Sequence, residues 1–248
     1  MKKSRLDVAL VERRLVASRE RARAIILAGQ VRVNGEVVSK AGHPVAADAQ
    51  VTLIEPDHPY VGRGGVKLAH ALDVFGIDPG GRAALDVGAS TGGFTDVLLR
   101  RGAEHVIALD VGHGQLDWTL RNDPRVTVME RVNARGLTAD HLPGEWRAFG
   151  IITMDLSFIS VRQVLPAVAP LLVPDGDLVV LVKPQFEAGR GEVGKGGIVR
   201  DALVQGRVLD EATGAADALG LTRVALTESP ITGAEGNREF FLHLRHGS

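Results

Sequence analysis

Short apolar runs alternate with helical segments over residues 83–244, and this alternation restricts the fold more than any other feature of the sequence. The runs typical of strands fall at residues 83–87, 105–109, 126–129, 150–154, 177–183, 221–226 and 238–244. Helical segments are expected at residues 92–100, 115–120, 161–172 and 201–219. Alternation over this length predicts an α/β fold with a doubly wound, Rossmann-like sheet that is mainly parallel. We expect its last strand to be antiparallel.

The N-terminal part of the chain differs from the rest in charge. Residues 1–40 contain ten Lys or Arg and four Asp or Glu, whereas the net charge of all 248 residues is −1. A basic head on a mildly acidic body indicates an anionic partner for the head. Any single arginine there has a simpler interpretation as solvated surface.

Local signals predict a small α+β domain in this basic head. Apolar residues at 6, 9, 10 and 15 favour a short first helix, and a second is expected from an N-cap at Ser18 to a stop at Gly29. Asn34-Gly35 between alternating valines predicts a hairpin, with further short strands at 45 and 51–54. We predict a first domain over 1–55, a linker over 56–61 and a second domain over 62–248.

Several classes of protein are excluded by composition. The chain has no cysteine, so disulfides, thiolate zinc sites and thiol nucleophiles are not possible. Its apolar runs are far shorter than the roughly 20 residues of a spanning helix. Charged residues interrupt the N-terminal segment where a signal peptide would need an apolar core. A cytoplasmic location is the expectation, with no membrane and no metal.

A glycine-rich loop follows the first strand of the predicted sheet. Glycines at this position let the backbone approach a ligand at the carboxyl edge of the sheet. Ser90 stands where a dinucleotide fingerprint requires its second glycine, and Asp86 before the loop suits a cationic ligand better than a pyrophosphate. S-adenosylmethionine carries a sulfonium and an ammonium group and no phosphate. Asp110, about twenty residues further on, ends the next strand, where a carboxylate can bind ribose hydroxyls.

A second glycine-rich segment competes with this interpretation. Residues 189–196 match the G-x-x-x-x-G-K of a phosphate-binding loop, but Gly196 replaces the Ser or Thr that would hold magnesium. We therefore favour a flexible basic loop that closes over substrate at the edge of the site.

Four charged residues are candidates for the chemistry. Asp155 and Lys183 follow predicted strands, Lys67 precedes the sheet, and Glu239 opens the last predicted strand. Each alone has a structural interpretation, such as a helix N-cap for Asp155 or surface charge for Lys67. Together, in the order Lys–Asp–Lys–Glu on this fold, they favour a catalytic site over four separate structural roles.

The basic head resembles the S4 RNA-binding domain. The resemblance covers about residues 4–55 and rests on Arg5-Leu6-Asp7, on Ser18-Arg19 at a helix start, and on the run from Ala28 to Gly35. It implies that Arg5, Arg19 and Arg23 contact the phosphates and the shape of structured RNA.

The body resembles the FtsJ/RrmJ-type ribose 2′-O-methyltransferases, and with its head the whole chain is similar to the TlyA (haemolysin A-like) family of bacterial rRNA 2′-O-methyltransferases. The motifs carrying this resemblance begin at Arg63, Asp86, Asp110, Asp155 and Lys183. The resemblance implies an S-adenosylmethionine-dependent enzyme that methylates a ribose 2′-hydroxyl in ribosomal RNA or ribosomal subunits. The implied catalytic residues are Lys67, Asp155, Lys183 and Glu239. The implied cofactor-binding residues are Asp86, Gly88, Ser90, Gly92, Asp110 and Asn133.

Two alternatives from other classes stay open at this point. One is a catalytically inactive RNA-binding or ribosome-associated protein, and the other is a membrane-active haemolysin. No obligate protein partner is expected. The sequence leaves open which nucleotide is modified, in which ribosomal RNA, and whether the substrate is free RNA or an assembled subunit.

Overall fold

A computed structural model describes residues 3–16, 18–27, 29–54, 58–189, 191–233 and 236–247. The chain divides into two compact units, Met1–Gly62 and Arg63–Ser248. The finer division into 1–55, 56–61 and 62–248 stays a prediction. Residues 55–57 at the start of the predicted linker, Ala28 of the head and Arg190 of the second glycine-rich segment lie outside the described residues.

The first unit is the small α+β domain expected from the sequence. Its elements are β1 (Lys3–Arg5), α1 (Leu6–Glu12), α2 (Arg19–Leu27), β2 (Val31–Val33), β3 (Glu36–Val37), β4 (Pro44–Ala46) and β5 (Val51–Leu53). β1 pairs with β4, and β2 lies between β3 and β5. All these pairings are antiparallel. Apolar side chains of both helices and of β2 form its core.

The turn and cap signals of this unit are confirmed. Asn34 and Gly35 have φ of 50° and 87°, as a two-residue hairpin turn requires. The Ser18 hydroxyl accepts a hydrogen bond from the Arg21 N–H at 3.1 Å, which caps α2. The expectation that Leu15 belongs to the first helix is wrong, because α1 ends at Glu12 and the chain turns at Arg14, where φ is 58°.

The second unit contains the larger sheet. Its elements are α3 (Gly64–Phe75), β6 (Ala83–Val87), α4 (Gly93–Arg100), β7 (His105–Asp110), α5 (Trp118–Arg121), β8 (Val126–Glu130), β9 (Phe149–Met154), α6 (Leu165–Val168), β10 (Leu172–Val182), α7 (Pro184–Glu187), α8 (Ala202–Asp217), β11 (Leu221–Glu228) and β12 (Phe240–His246). The predicted strands are all present, with bounds shifted by a few residues.

The seven strands of this unit form one sheet in the order β11-β12-β10-β9-β6-β7-β8. The five strands from β10 to β8 are parallel, and β12 is antiparallel to both of its neighbours. The predicted fold class is therefore confirmed. The chain order reverses between β6 and β9, and ligands of such sheets bind at the carboxyl ends of the strands beside this reversal.

Two predicted helices are shorter or more irregular than expected. The segment 115–120 contributes only the short α5, which begins at Trp118. The segment 161–172 is broken into α6 flanked by two 3₁₀ turns, because Pro166 and Pro170 each lack the N–H that a continuous helix needs. Glu239 immediately precedes β12 instead of lying within it.

Candidate active site

Lys183 and Asp155 form an ion pair at the carboxyl edge of the sheet. Lys183 directly follows β10, and Asp155 directly follows the neighbouring strand β9. The Lys183 Nζ lies 2.5 Å from Asp155 Oδ1 and donates a hydrogen bond to the Ser157 hydroxyl at 3.1 Å. The Lys183 side chain is only 10% exposed, so its charge is largely removed from water and depends on these partners.

Lys67 and Glu239 form a second ion pair. The Lys67 Nζ donates to Glu239 Oε2 at 2.5 Å, and both side chains are buried. Lys67 lies in the first turn of α3, and Glu239 lies just before β12. A Cβ at Gly233 would stand 2.4 Å from Glu239 Oε1, so a larger residue there would displace this carboxylate.

The register of the sheet places the two pairs at the same edge. Val182 of β10 pairs with Phe240 of the antiparallel β12. The next residues outward along these strands are Lys183 and Glu239, so they follow on neighbouring strands at one end of the sheet. The structure thus brings together the four residues predicted as catalytic, in the form of two lysine–carboxylate pairs.

A cavity of about 460 Å³ opens beside Asp155. Its lining comes from the segments that follow β6, β7, β8 and β9, on both sides of the reversal in strand order. The lining residues are Val87, Gly88, Ser90, Leu109, Asp110, Val111, Gly112, Gln115, Val132, Asn133, Ala134, Asp155, Leu156, Ser157, Phe158, Ile159 and Val164. Its size suits a nucleoside-sized ligand.

The polar groups of this cavity fit S-adenosylmethionine. Two carboxylates, Asp110 and Asp155, lie in the lining, and none of the described lining residues is a Lys, Arg or His. The Asp110 carboxylate is held by the backbone N–H groups of Ser90 at 2.8 Å and Gly112 at 2.6 Å. An acidic lining favours a cationic ligand and disfavours a polyphosphate, while the fixed Asp110 can accept hydrogen bonds from ribose hydroxyls.

Four of the six residues predicted to bind the cofactor line the cavity, namely Gly88, Ser90, Asp110 and Asn133. The other two, Asp86 and Gly92, are not part of the lining. Gly92 lies at the N-cap of α4, where a Cβ would stand 2.3 Å from a methyl carbon of Leu120. It therefore shapes the loop through packing.

Asp86 is buried beneath the glycine-rich loop. Its carboxylate accepts hydrogen bonds from the hydroxyls of Thr95 at 2.7 Å and Thr153 at 2.9 Å, which join β6 to α4 and β9. The pKa of Asp86 is raised to about 7, chiefly by burial and also by the charge of Asp155, while the two threonine hydrogen bonds oppose the rise. Asp86 thus supports the loop from below the cavity.

Replacement of Asp86 by asparagine should flatten the pH dependence of stability. An unfolded Asp titrates near pH 4, so between pH 4 and 7 the native state keeps a proton that the unfolded state has released. The contribution of Asp86 to the free energy of unfolding then falls as pH rises, by about 1 kcal/mol per pH unit. Urea unfolding at pH 5, 6 and 7 measures this slope. The exposed Asp217→Asn serves as control, and equal slopes in wild type and Asp86→Asn would contradict the assignment.

Sequence reasoning missed some residues of the site. Ser157, which binds Lys183, and Phe158, which is 90% exposed with a φ of 67°, both line the cavity. Glu187 binds the segment after β9 from α7. All three lie in the two sequence runs, beginning at Asp155 and at Lys183, that carry the family resemblance. Their closeness in sequence to these two predicted catalytic residues is the feature from which they could have been predicted.

The second glycine-rich segment does not form a strand-to-helix phosphate loop. It follows the short α7, and among its described residues, which exclude Arg190, no helix begins between the end of α7 and Ala202. Glu192 accepts a hydrogen bond from the Gly189 N–H at 2.8 Å and pairs with Arg207 of α8. Its described residues are not part of the cavity lining, so its closure over substrate stays a prediction.

In the first unit, the three arginines predicted to contact RNA converge on one buried carboxylate. Asp7 lies 2.9 Å from Arg5 Nε, 3.1 Å from Arg19 Nη2 and 3.4 Å from Arg23 Nε. Each arginine side chain is 53% exposed, whereas that of Asp7 is fully buried. The hydrogen bond from Arg5, joined by those from Arg19 and Arg23, holds the pKa of Asp7 below its usual range despite burial. The result is a fixed cluster with excess positive charge.

The fold and the second unit's site together define a methyltransferase that uses S-adenosylmethionine. The doubly wound sheet places an acidic, nucleoside-sized cavity directly beside the pair formed by the buried Lys183 and the partly exposed Asp155. The chain belongs to the FtsJ-like methyltransferase family, whose model matches residues 60–246, and it carries an S4 domain over residues 4–51.

Known relatives agree with this family over nearly the whole chain. The 16S/23S rRNA (cytidine-2′-O)-methyltransferase TlyA of Mycobacterium tuberculosis is 47% identical, over 98% of this chain and 90% of that protein. Hemolysin A of Brachyspira hyodysenteriae is 42% identical, over 96% of this chain and 98% of that protein. A solved structure from Streptococcus thermophilus is 42% identical, with a TM-score of 0.76 over all of this chain and 90% of that one. In the described part of the chain, no helix is both long and apolar enough to cross a membrane.

Proposed function

We propose that this protein transfers a methyl group from S-adenosylmethionine to a ribose 2′-hydroxyl of ribosomal RNA. The observation that carries the proposal is the Lys183–Asp155 pair, in which Asp155 also lines the acidic cavity. The cytidine-2′-O-methyltransferase name of the Mycobacterium tuberculosis relative supports the same reaction. A ribosomal RNA substrate also supports the expected cytoplasmic location.

Four of the cavity residues have separate roles in the proposed binding of the cofactor. Asp110 would bind the ribose hydroxyls of the cofactor, Gly88 and Ser90 would bring their backbone close to it, and Asn133, which also lines the cavity, would contact the adenine. When bound there, S-adenosylmethionine supplies a methyl group activated by a positively charged sulfur. Because that charge disappears during transfer, a partly desolvated site favours the reaction.

Lys183 orients the attacking hydroxyl and accepts its proton. The bond between the methyl carbon and the sulfur breaks as the new C–O bond forms, and the hydroxyl oxygen loses its proton. The Lys183 Nζ beside Asp155 is the group placed to receive that proton, which it accepts in its uncharged amine form. Ser157 and Asp155 fix the direction of this amine, and Glu239 fixes Lys67. Alignment of the oxygen, the methyl carbon and the sulfur accounts for much of the expected rate.

Methyl transfer to unmodified ribosomal subunits and to their free RNAs tests this function. Tritiated S-adenosylmethionine is the donor, and digestion to nucleosides identifies the product. Label recovered as 2′-O-methylribose supports the proposal and shows whether free RNA or a subunit is the substrate. Tight binding of the cofactor without label in any of these RNAs would contradict a ribosomal substrate and favour the catalytically inactive alternative.

The arginine cluster of the first unit yields a separate prediction. Asp7→Asn should weaken binding of that unit's surface to ribosomal RNA several-fold, although it makes the protein more positive by one charge. Without the carboxylate, the guanidiniums of Arg5, Arg19 and Arg23 lose their shared anchor and must be ordered on binding. Filter binding at several salt concentrations measures the affinity.

Glu36→Gln is the matched control for this prediction, since it removes one exposed acid of the same unit without touching the cluster. It should leave RNA affinity unchanged or raise it slightly. Equal effects of Asp7→Asn and Glu36→Gln would mean that only net charge matters and that the cluster geometry does not.

A further inference from the structure

Glu187 is a buried carboxylate to which the proposed chemistry gives no role. It ends α7, four residues after Lys183, and its side chain is 1% exposed. Its Oε2 accepts a hydrogen bond from the Ser160 hydroxyl at 2.5 Å, and its Oε1 accepts one from the Val161 N–H at 2.7 Å. A buried carboxylate is costly unless it is fully hydrogen-bonded, and both of these donors lie in the segment after β9.

These hydrogen bonds join the two segments that carry the central ion pair. Asp155 begins the segment after β9, and Ser160 lies five residues further along it. Lys183 begins the segment after β10, and Glu187 ends it. The segments are thus linked twice, by the Lys183–Asp155 ion pair at one end and by Glu187 at the other. The rings of Phe158 and Phe186 contact between these links, with centroids 5.1 Å apart.

Arg162 attaches this link to the rest of the unit. Its Nε lies 3.4 Å from Glu187 Oε2, and its Nη1 lies 2.8 Å from Glu211 Oε2 of α8. Because α8 packs into the core of the sheet through buried residues such as Leu209 and Ala212, the link rests on a rigid element. Movement of either segment would break hydrogen bonds to a buried charge.

We propose that Glu187 is a positioning residue that keeps Lys183 and Asp155 in register by fastening the segment after β9 to the segment after β10. This inference rests on the proposed function for the roles of Lys183 and Asp155. Glu187 lies outside the described lining of the cofactor cavity, and its two carboxylate oxygens are engaged by Ser160 and Val161.

Three variants test the proposal in the full-length protein. Glu187→Ala should lower kcat for methyl transfer by about tenfold to hundredfold, because small misplacements of reacting groups cost rate steeply. The KM for RNA and the Kd for S-adenosylhomocysteine should change less than about threefold, since Asp110 and the loop after β6 are untouched. Glu187→Gln should recover most of kcat, because its amide can accept from Val161 and donate to Ser160. Glu104→Ala, an exposed acid before β7, is the control.

A crystal structure of Glu187→Ala separates this proposal from the proposed function. A separation of Lys183 and Asp155 that grows by about 1 Å supports the positioning role, and an unchanged separation overturns it, whether or not the wild type methylates RNA. A kcat within twofold of wild type overturns it as well. If Glu187→Ala does not fold, Ser160→Ala is used instead, because it removes one hydrogen bond to Glu187 and no charge. Its kcat and its separation of Lys183 and Asp155 then support or overturn the proposal by the same criteria. Absence of methyl transfer by the wild type would count against the proposed function alone.

Discussion

Lys183→Ala is expected to lower kcat for methyl transfer to ribosomal RNA by about a thousandfold, within the range of a lost proton acceptor. The substitution removes the amine that lies 2.5 Å from Asp155 and leaves that carboxylate without its cation. Lys183 is not part of the described cavity lining, so the Kd for S-adenosylhomocysteine should stay within about threefold of wild type. Tritium transfer under saturating substrate and calorimetric titration measure the two quantities.

Lys183→Arg distinguishes the two ways in which this lysine could act. Arginine keeps the positive charge beside Asp155 but does not exchange a proton at any pH of the assay. If proton acceptance is the role, Lys183→Arg should be nearly as inactive as Lys183→Ala. If positive charge suffices, it should recover most of kcat. More than a tenth of wild-type activity in Lys183→Ala would contradict an essential role for the residue.

The site residues that follow strands were predictable because the carboxyl ends of parallel strands all lie at one edge of the sheet. The alternation of strands and helices located the carboxyl ends of β6, β7, β9 and β10 to within a residue or two. Asp110, Asp155 and Lys183 could therefore be assigned to one site before any geometry was known. Lys67 and Glu239 followed from family resemblance, since one lies in a helix and the other before an antiparallel strand.

Other parts of the site depend on contacts between residues that are distant in sequence. Asp86 precedes the loop as the prediction required, but its carboxylate is taken by Thr95 and by Thr153, which is 67 residues away. Glu187 and Ser160 are 27 residues apart, and neither residue type alone indicates the other. The sequence of the head shows its excess of arginines. Their convergence on Asp7 could not be predicted from the sequence, because it depends on how α1 and α2 pack against each other.

Gly88→Ala is expected to remove most methyl-transfer activity with a change of one methyl group. Gly88 has a φ of 88°, and a Cβ there would lie 2.3 Å from the carbonyl oxygen of Asp155. The clash is with backbone, so relief requires the residue paired with Lys183 to move. A displacement near 1 Å should lower kcat by about a hundredfold. Because Gly88 also lines the cavity, the affinity for S-adenosylhomocysteine should fall with it.

Gly81→Ala separates this clash from backbone strain. Gly81 has a similar φ of 67°, but a Cβ there would meet no atom within 4 Å. Both substitutions place alanine in the left-handed region, which costs about 1–2 kcal/mol of stability. Only Gly88→Ala moves Asp155, so Gly81→Ala should lower Tm while kcat and cofactor affinity stay near wild type. If both variants lose stability and activity in the same proportion, strain alone explains the loss, and the close approach of Gly88 to Asp155 has no part in catalysis.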